Sequence, residues 1–513
     1  MNKLKRDGID VQYQYQVTED IMRDYSFGNY ISTLRERMGL SQYQLGVLVG
    51  VSDKAVSKWE NGVSKPRINT IKKLSRIFDV SVDELLTCEY GTFTEERKDL
   101  FAMKKDIVKL AENKMRELYG DKIPLNILNR FKMEKIILAE SDELLWIGFF
   151  GFLQEKMKDK DYYFEIRDSQ IQASLLAWLL GATEVNPLPA HYYCPHCKRI
   201  EFFPDERCGL DLPEKMCKCG TKFKRDGFGI DVMNMYPLSK WNEIHISKKA
   251  EKLVTDCIEE YFAGTGVLQK LLVEDSDYKD EISRFAIVLY EMNNKYANNK
   301  IHDWGELYQI MCEHSGITIV TNEREDIGNI RKVDINLSQE QINEYFQFAI
   351  DNDEFLSFNS EIDLDCIYQN TRNPKYSDLI YILGLIKGTD TWSDNGEVLY
   401  KSGKKLDELI TNREDVYSYL YGKLNDKCCD NLSGQVYEIK EDVRKGKYIN
   451  GRMPKEVEEL LVESDVPEWY IDSMKKIRYL FPKTNLIVYL KKKIIMYFNN
   501  KDNENEKVTP VLK

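Results

Sequence analysis

Four cysteines carry the clearest chemistry in this 513-residue chain. Cys194 and Cys197 form a Cys-x2-Cys pair in "HYYCPHCKR". A second pair, Cys217-x-Cys219 in "EKMCKCGTK", follows after residues 198–216. Thiolates are soft donors, and two such pairs folded together make the tetrahedral sulfur cage that Zn2+ prefers. A cage of four thiolates leaves no open coordination position, so the expected metal is structural and not catalytic. The second pair is one residue short of the usual spacing, and Cys208 or His196 stands as the alternative for one ligand. No other kit for chemistry is apparent: the chain has no Gly-Lys-Ser/Thr phosphate loop, no HExxH, no GxSxG and no convincing GxGxxG.

The totals bound what must position those thiols. Hydrophobic residues make up 42% and charged residues 31%, the mix of a packed globular chain of three or four domains. The longest apolar run, "LLWIGFFGFL" at 144–153, is about half the length of a membrane span, and the N-terminus has no signal-peptide core. A cytoplasmic location is therefore expected, with the eleven cysteines as free thiols plus one metal site. Net charge is −12, yet residues 29–86 hold nine Lys/Arg against six Asp/Glu, which leaves 64 against 79 for the remainder. Contact with DNA is expected to concentrate in that basic head.

The head reads as five short helices. "NYISTLRERMG" places Ile31, Leu34 and Met38 on one face and stops at Gly39. "SQYQLGVLVG" starts on Ser41 and stops at Gly50, and "VSDKAVSKWENG" restarts on Ser52 and stops at Gly62. "INTIKKLSRIFDV" and "SVDELL" complete the set. Over this whole stretch the sequence resembles the Cro/lambda-repressor family of helix-turn-helix domains. The resemblance implies that the helix after Ser52 lies in the major groove of duplex DNA. Asp53, Lys54, Ser57 and Lys58 would then face the bases, with Ala55 and Trp59 turned inward. Gln42 and Asn61 would hold phosphates, and Arg35 and Glu60 would form a structural ion pair. Lys54 or Lys58 would reach guanine O6/N7, and Asp53 a cytosine amino group. A homodimer on paired half-sites is expected.

The body carries a second resemblance. "TEVNPLPAHYYCPHCKRIEFFPDE" and "GLDLPEKMCKCGTKFKRDG" look like the zinc-bearing segment of PolC-type DNA polymerase III, and "AENKMRELYGDKIPLNILNRFKMEKI" resembles the stretch leading into that family's palm. "KYSDLIYILGLIKGTDTWSDNGEVL", "VRKGKYI" and "ESDVPEWYIDSMKKIRYLFPKTNLIVYL" resemble its fingers. Roughly 106–235 and 371–498 are covered; about 240–370 match poorly, and the family's exonuclease, PHP and OB domains are missing. The family's Arg-led, Gly/Ser-rich nucleotide loop corresponds to "RDSQIQAS" at 167–174, with Asp168, Ser169 and Gln172 in place of Arg and Gly. Its Asp-x-Asp metal pair corresponds best to Glu243 and His245 in "WNEIHIS". Gly388, Thr389, Asp390, Trp392 and Asn395 match the fingers, while Lys387 and Asn485 stand where histidines are usual. The Asp363-x-Asp365 pair reads as a solvated strand edge.

The expected architecture is mainly α and multidomain: a five-helix repressor-type head and an α+β, largely helical polymerase-like body with a small zinc-bearing segment. The boundaries are an arm at 1–26, the head at 27–88, a helical palm-entry region at 89–190, the zinc segment at 191–227, an unassigned connector at 228–370, fingers-like helices at 371–498 and a disordered polar tail at 499–513. The expected function is a repressor-like regulator of transcription that binds double-stranded DNA. Its body is read as no enzyme, the active site being lost, and as serving for dimerisation, as a sensor, or as a decoy toward a replication or phage protein. The alternative is a replication-associated polymerase or a replication inhibitor.

Overall fold

The structure, a computed structural model, describes residues 27–85 and 95–508 apart from short stretches, the longest of them 236–240, 274–281, 289–299, 323–336, 353–363 and 426–431. The arm at 1–26, Gly39, Gly62, Asp168, Ser169, Asp363 and most of the fifth head helix at 81–86 lie outside the described residues. The chain divides into two compact units, Met1–Gly91 and Thr92–Lys513.

The first unit holds α1 (Phe27–Arg37), α2 (Gln42–Val49), α3 (Asp53–Glu60) and α4 (Ile68–Phe78). Ser41 opens α2 through a capping box, its hydroxyl accepting from Gln44 N–H (3.1 Å) while its own N–H donates to Gln44 Oε1 (2.7 Å). Gly50 ends α2 at φ +79°, a left-handed turn that costs glycine little. Ile31, Leu45, Val56 and Leu74 are fully buried, one from each helix. A side chain at Gly46 would strike the Val51 carbonyl oxygen at 2.7 Å, so glycine is what lets α2 lie so close to the start of α3.

The second unit opens with α5 (Glu95–Tyr119), α6 (Leu125–Ala139) and α7 (Glu143–Met157). The "LLWIGFFGFL" run lies on α7, where Leu144, Leu145, Trp146, Ile147, Phe149, Phe150 and Leu153 are all fully buried. A helix apolar on every side belongs in a core, and Trp146 still finds Ser315 Oγ for its indole N–H (3.1 Å). Among the described residues no helix is long and apolar enough to cross a membrane. Then come β1 (Phe164–Arg167) and α8 (Leu175–Leu179), followed by a three-stranded lobe of β2 (His191–Tyr193), β3 (Ile200–Phe202) and β4 (Lys224–Asp226), in order β3-β2-β4.

A mixed sheet takes up most of the region left unassigned from sequence, with β1 of the palm-entry region as its edge. Its strands are β1, β5 (Trp241–Ser247), β6 (Gln269–Val273), β7 (Ile282–Val288), β8 (Lys300–Ile301) and β9 (Gly316–Asn322), in order β1-β5-β9-β7-β6-β8. β5 and β9 run parallel, and α9 (Glu251–Tyr261) and α10 (Trp304–Glu313) lie between them in sequence. The rest of the unit is helical: α11 (Gln339–Asp351), α12 (Asp365–Asn370), α13 (Tyr376–Lys387), α14 (Glu397–Lys401), α15 (Arg413–Leu424), α16 (Leu432–Arg444), α17 (Lys455–Glu463), α18 (Glu468–Lys476) and α19 (Lys483–Val508). One large core runs from Leu100 on α5 to Ile494 on α19.

Two local expectations need correcting. Asp365 is no strand edge; it sits in the first turn of α12, where a carboxylate is favoured by the helix dipole. The polar tail expected to be disordered continues α19 to Val508. No Gly or Pro falls between Lys483 and Pro510, and Tyr497 and Lys501 both bond to Glu344 of α11, which ties down the polar stretch of the helix.

Candidate nucleic-acid interface, thiol centre and sheet face

The reader helix of the head is built by its cap and its buried side. Ser52 Oγ accepts from Ala55 N–H (3.3 Å), which fixes where α3 starts. Val56 and Trp59 turn into the core; Asp53, Lys54, Lys58 and Asn61 are exposed and Ser57 is half-buried. The Asp53 carboxylate accepts from Lys54 N–H (2.7 Å), so it also caps the first turn. Glu60 ties the helices together: it receives Arg35 Nη2 at 2.9 Å and Gln42 Nε2 at 2.8 Å. One hydrogen of the Gln42 amide is thus engaged inside the head, a role its sequence position did not reveal. Asn61 Nδ2 donates back to Ser57 Oγ (3.3 Å). Lys65 and Arg67 stand exposed in the segment that continues from the reader, and the "SKPR" run that marks them was passed over in the sequence reading.

In the β2–β4 lobe the four cysteines converge. The sulfurs of Cys194, Cys197, Cys217 and Cys219 all lie within 4.8 Å of one another, and Cys208 and His196 are not among them. Two tight turns present them. In the first, Lys198 N–H donates to Cys194 O (3.0 Å), with Lys198 at φ +61°. In the second, Gly220 N–H donates to Cys217 O (2.9 Å), with Gly220 at φ +85°. The approach is crosswise: Cys194 Sγ to Cys219 Sγ is 3.5 Å and Cys197 Sγ to Cys217 Sγ is 3.4 Å. Four sulfurs about 2.3 Å from one tetrahedral ion would stand about 3.8 Å apart, so the set fits a metal with little rearrangement. Crowded thiols also share protons. Against the Arg199 backbone N–H, hydrogen bonds with the Cys217 and Cys194 thiols push Cys197 up to about 12, while the Thr221 hydroxyl and N–H hold Cys219 down to about 5. Cys208 instead lies buried, accepting from Leu210 N–H (3.3 Å). The lobe is anchored by Arg225, which is buried and donates to the carbonyls of Leu210, Leu212 and Leu337.

The large sheet gathers the residues singled out by the palm resemblance. β1 pairs with β5 so that Phe164 and Ile166 lie opposite Ile246 and Ile244 on the core face, while Glu165 and Arg167 lie opposite His245 and Glu243 on the other. His245 Nε2 meets Glu243 Oε1 at 2.6 Å, and Glu165 receives Lys492 of α19 at 3.1 Å. At the nucleotide-loop position, buried Gln172 donates to Ile166 O (2.6 Å). Glu134, fully buried on α6, takes the start of α8: it accepts from Ser174 Oγ (2.8 Å), Leu175 N–H (2.8 Å) and Leu176 N–H (3.0 Å) and is paired with Arg130. Sequence reading missed Glu134, because the hydroxyl and N–H groups that it accepts from at the start of α8 lie some forty residues away. In the fingers-like part, Trp392 and Asn395 are buried, Asp390 pairs with Arg478 (2.8 Å), Lys387 Nζ lies 4.0 Å over the Tyr489 ring, and Asn485 sits on α19.

Comparison with known proteins divides along the same line. A family model described as helix-turn-helix matches residues 31–85. The chain is 27% identical over 506 residues to "DNA polymerase III PolC-type" of Caldanaerobacter subterraneus subsp. tengcongensis, covering 84% of this chain and 35% of that protein. It is 27% identical to the protein of that name in Thermotoga maritima, with 73% and 32% covered, and in Staphylococcus aureus, with 75% and 31% covered. The chain thus spans about a third of the length of these curated relatives. The reading of the body as no enzyme is overturned by this likeness, which runs over most of the chain to proteins named as polymerases. That reading rests on single exchanged acids and loop glycines, whereas the likeness runs over 73–84% of the chain.

Proposed function

We propose that this protein is a sequence-specific regulator that binds duplex DNA through its head and couples that binding to a polymerase-related body. Exposed Lys54 and Lys58 on a helix fixed by the Ser52 cap and Trp59 support this reading most directly. Lys54 and Lys58 contact guanine edges, and Asp53 and Ser57 contribute to base selection. Gln42, through its remaining amide hydrogen, and Asn61 hold phosphates beside them, with Ser52 at the start of the reader. Two copies act together on paired half-sites. The four cysteines hold one Zn2+, which cross-links the two turns of the lobe and supplies no reaction chemistry. The body meets a further partner, a replication or phage protein.

Capture of duplex fragments from the gene's own upstream region, against random genomic fragments, tests the head. The full chain should retain one short, roughly palindromic site, and Lys54→Ala/Lys58→Ala should lose it. Equal retention of all fragments by both proteins would sink the proposal.

A second reading, replication-associated DNA synthesis by the body, is favoured by the length of the polymerase likeness and by Glu165 and Glu243 sharing one face of the sheet. Carboxylates that share a metal ion are what phosphoryl transfer requires. Primer extension with Mg2+ or Mn2+ decides it: incorporation lost in Glu243→Gln supports synthesis, and no incorporation by the folded chain removes it.

A further inference from the structure

We propose that the thiol centre is also an oxidation site, in which peroxide closes two crosswise disulfides, Cys194–Cys219 and Cys197–Cys217, and releases the metal. The proposal rests on the zinc reading above for the metal and on geometry for the pairing. Each short sulfur–sulfur approach joins one exposed thiol to one buried thiol: Cys219 is exposed and Cys194 buried, and Cys197 is exposed and Cys217 buried. An oxidant from solvent therefore has one accessible sulfur per pair, with a resolving sulfur within 3.5 Å behind it.

The steps balance with peroxide and solvent water alone. The exposed thiolate sulfur attacks a peroxide oxygen; the O–O bond breaks, an S–OH forms, and hydroxide leaves. The buried thiolate sulfur then attacks that S–OH sulfur; the S–O bond breaks, S–S forms, and a second hydroxide leaves, both hydroxides taking protons from solvent. Each pair loses two electrons to one peroxide, and four thiolate ligands are removed from the metal.

The effect on the lobe follows from its small interior. Beside the cysteines, Tyr192, Leu212 and Phe223 are its buried apolar residues, with Phe203 packed on them. Oxidation leaves the turns linked but takes away the ion that sets their angle. Arg225, reaching Leu337 O outside the lobe, is one route by which that change passes to the body.

The test uses the full chain. Metal content is measured first, and the protein is then treated with hydrogen peroxide while released Zn2+ is read with a chromogenic chelator. Free thiols are counted, and disulfides are mapped by non-reducing digestion and mass spectrometry. One Zn2+ released per chain, loss of four thiols, the two crosswise links, and recovery on adding reductant and Zn2+ are expected. A Cys208→Ser chain should behave the same. A chain purified without metal removes the zinc reading but still reports the pairing. A Cys194–Cys197 link, or four thiols that survive peroxide, overturns the oxidation site.

Discussion

In the head, Ile31, Leu45, Val56 and Leu74 close an apolar core around two serine-capped helices, and Glu60 binds α1 and α2 to α3. The cysteine lobe has strands of three residues and a small interior of Tyr192, Leu212 and Phe223, leans on the main core through Tyr193, Ile200, Phe202 and Leu210, and brings four sulfurs together at its turns. The difference is between stability spread over many small terms and stability concentrated in one. In the first kind one substitution removes one small term of a cooperative whole; in the second, loss of the proposed metal removes a large term at a stroke.

The largest expected effect breaks the lobe. Cys217→Ser should abolish metal binding and remove amide protection over 191–226, a loss of several kcal/mol set against the roughly 10–16 kcal/mol of isolated zinc peptides. Hydrogen exchange reads it, and protection in the head should be unchanged. The head's own large term is Trp59, 6% exposed. Trp59→Ala should cost about 3–5 kcal/mol in thermal or urea unfolding of the first unit and leave metal content intact.

A smaller effect distinguishes the two by pH. Burial lowers the pKa of His191 on β2, against a raising contribution from Asp226. A histidine kept neutral by folding contributes stability that is full above its unfolded value of about 6.5 and is lost as pH falls below it. Lobe protection should therefore weaken below about pH 6.5, and His191→Phe should flatten that slope; an unchanged slope would assign the acid sensitivity to the thiols alone. Smallest in stability is Lys54→Ala. It should shift unfolding by less than about 0.5 kcal/mol while weakening specific DNA binding about tenfold or more. Loss of stability in that variant would mean Lys54 is structural.

Legibility in sequence followed local chemistry. The serine caps and Gly50 could be found because each signal lies within a few residues, whereas the Arg35–Glu60 pair, 25 residues apart, came only with the helix-turn-helix resemblance. The four cysteines were equally plain, and only folding excluded Cys208 and His196 from the cluster. What stayed hidden depends on distant partners. β5 pairs with β9 some seventy residues on, so "WNEIHIS" showed an alternating strand without showing its sheet. Glu134 carries no sequence signal of its burial, and Gln42, expected on phosphate, proves to donate to Glu60 as well. The extension of α19 was misread from polar composition, although the segment lacks helix breakers before Pro510.

The measurement that bears most directly on the division of labour is a competition at two salt concentrations. The captured duplex site, a scrambled duplex and a primed single strand would compete for the full chain and for Lys54→Ala/Lys58→Ala. Preference for the duplex site, lost in the variant together with part of the salt dependence, is expected if the head reads DNA. Equal preference in both proteins, or preference for the primed strand, would contradict that reading and place DNA recognition in the body.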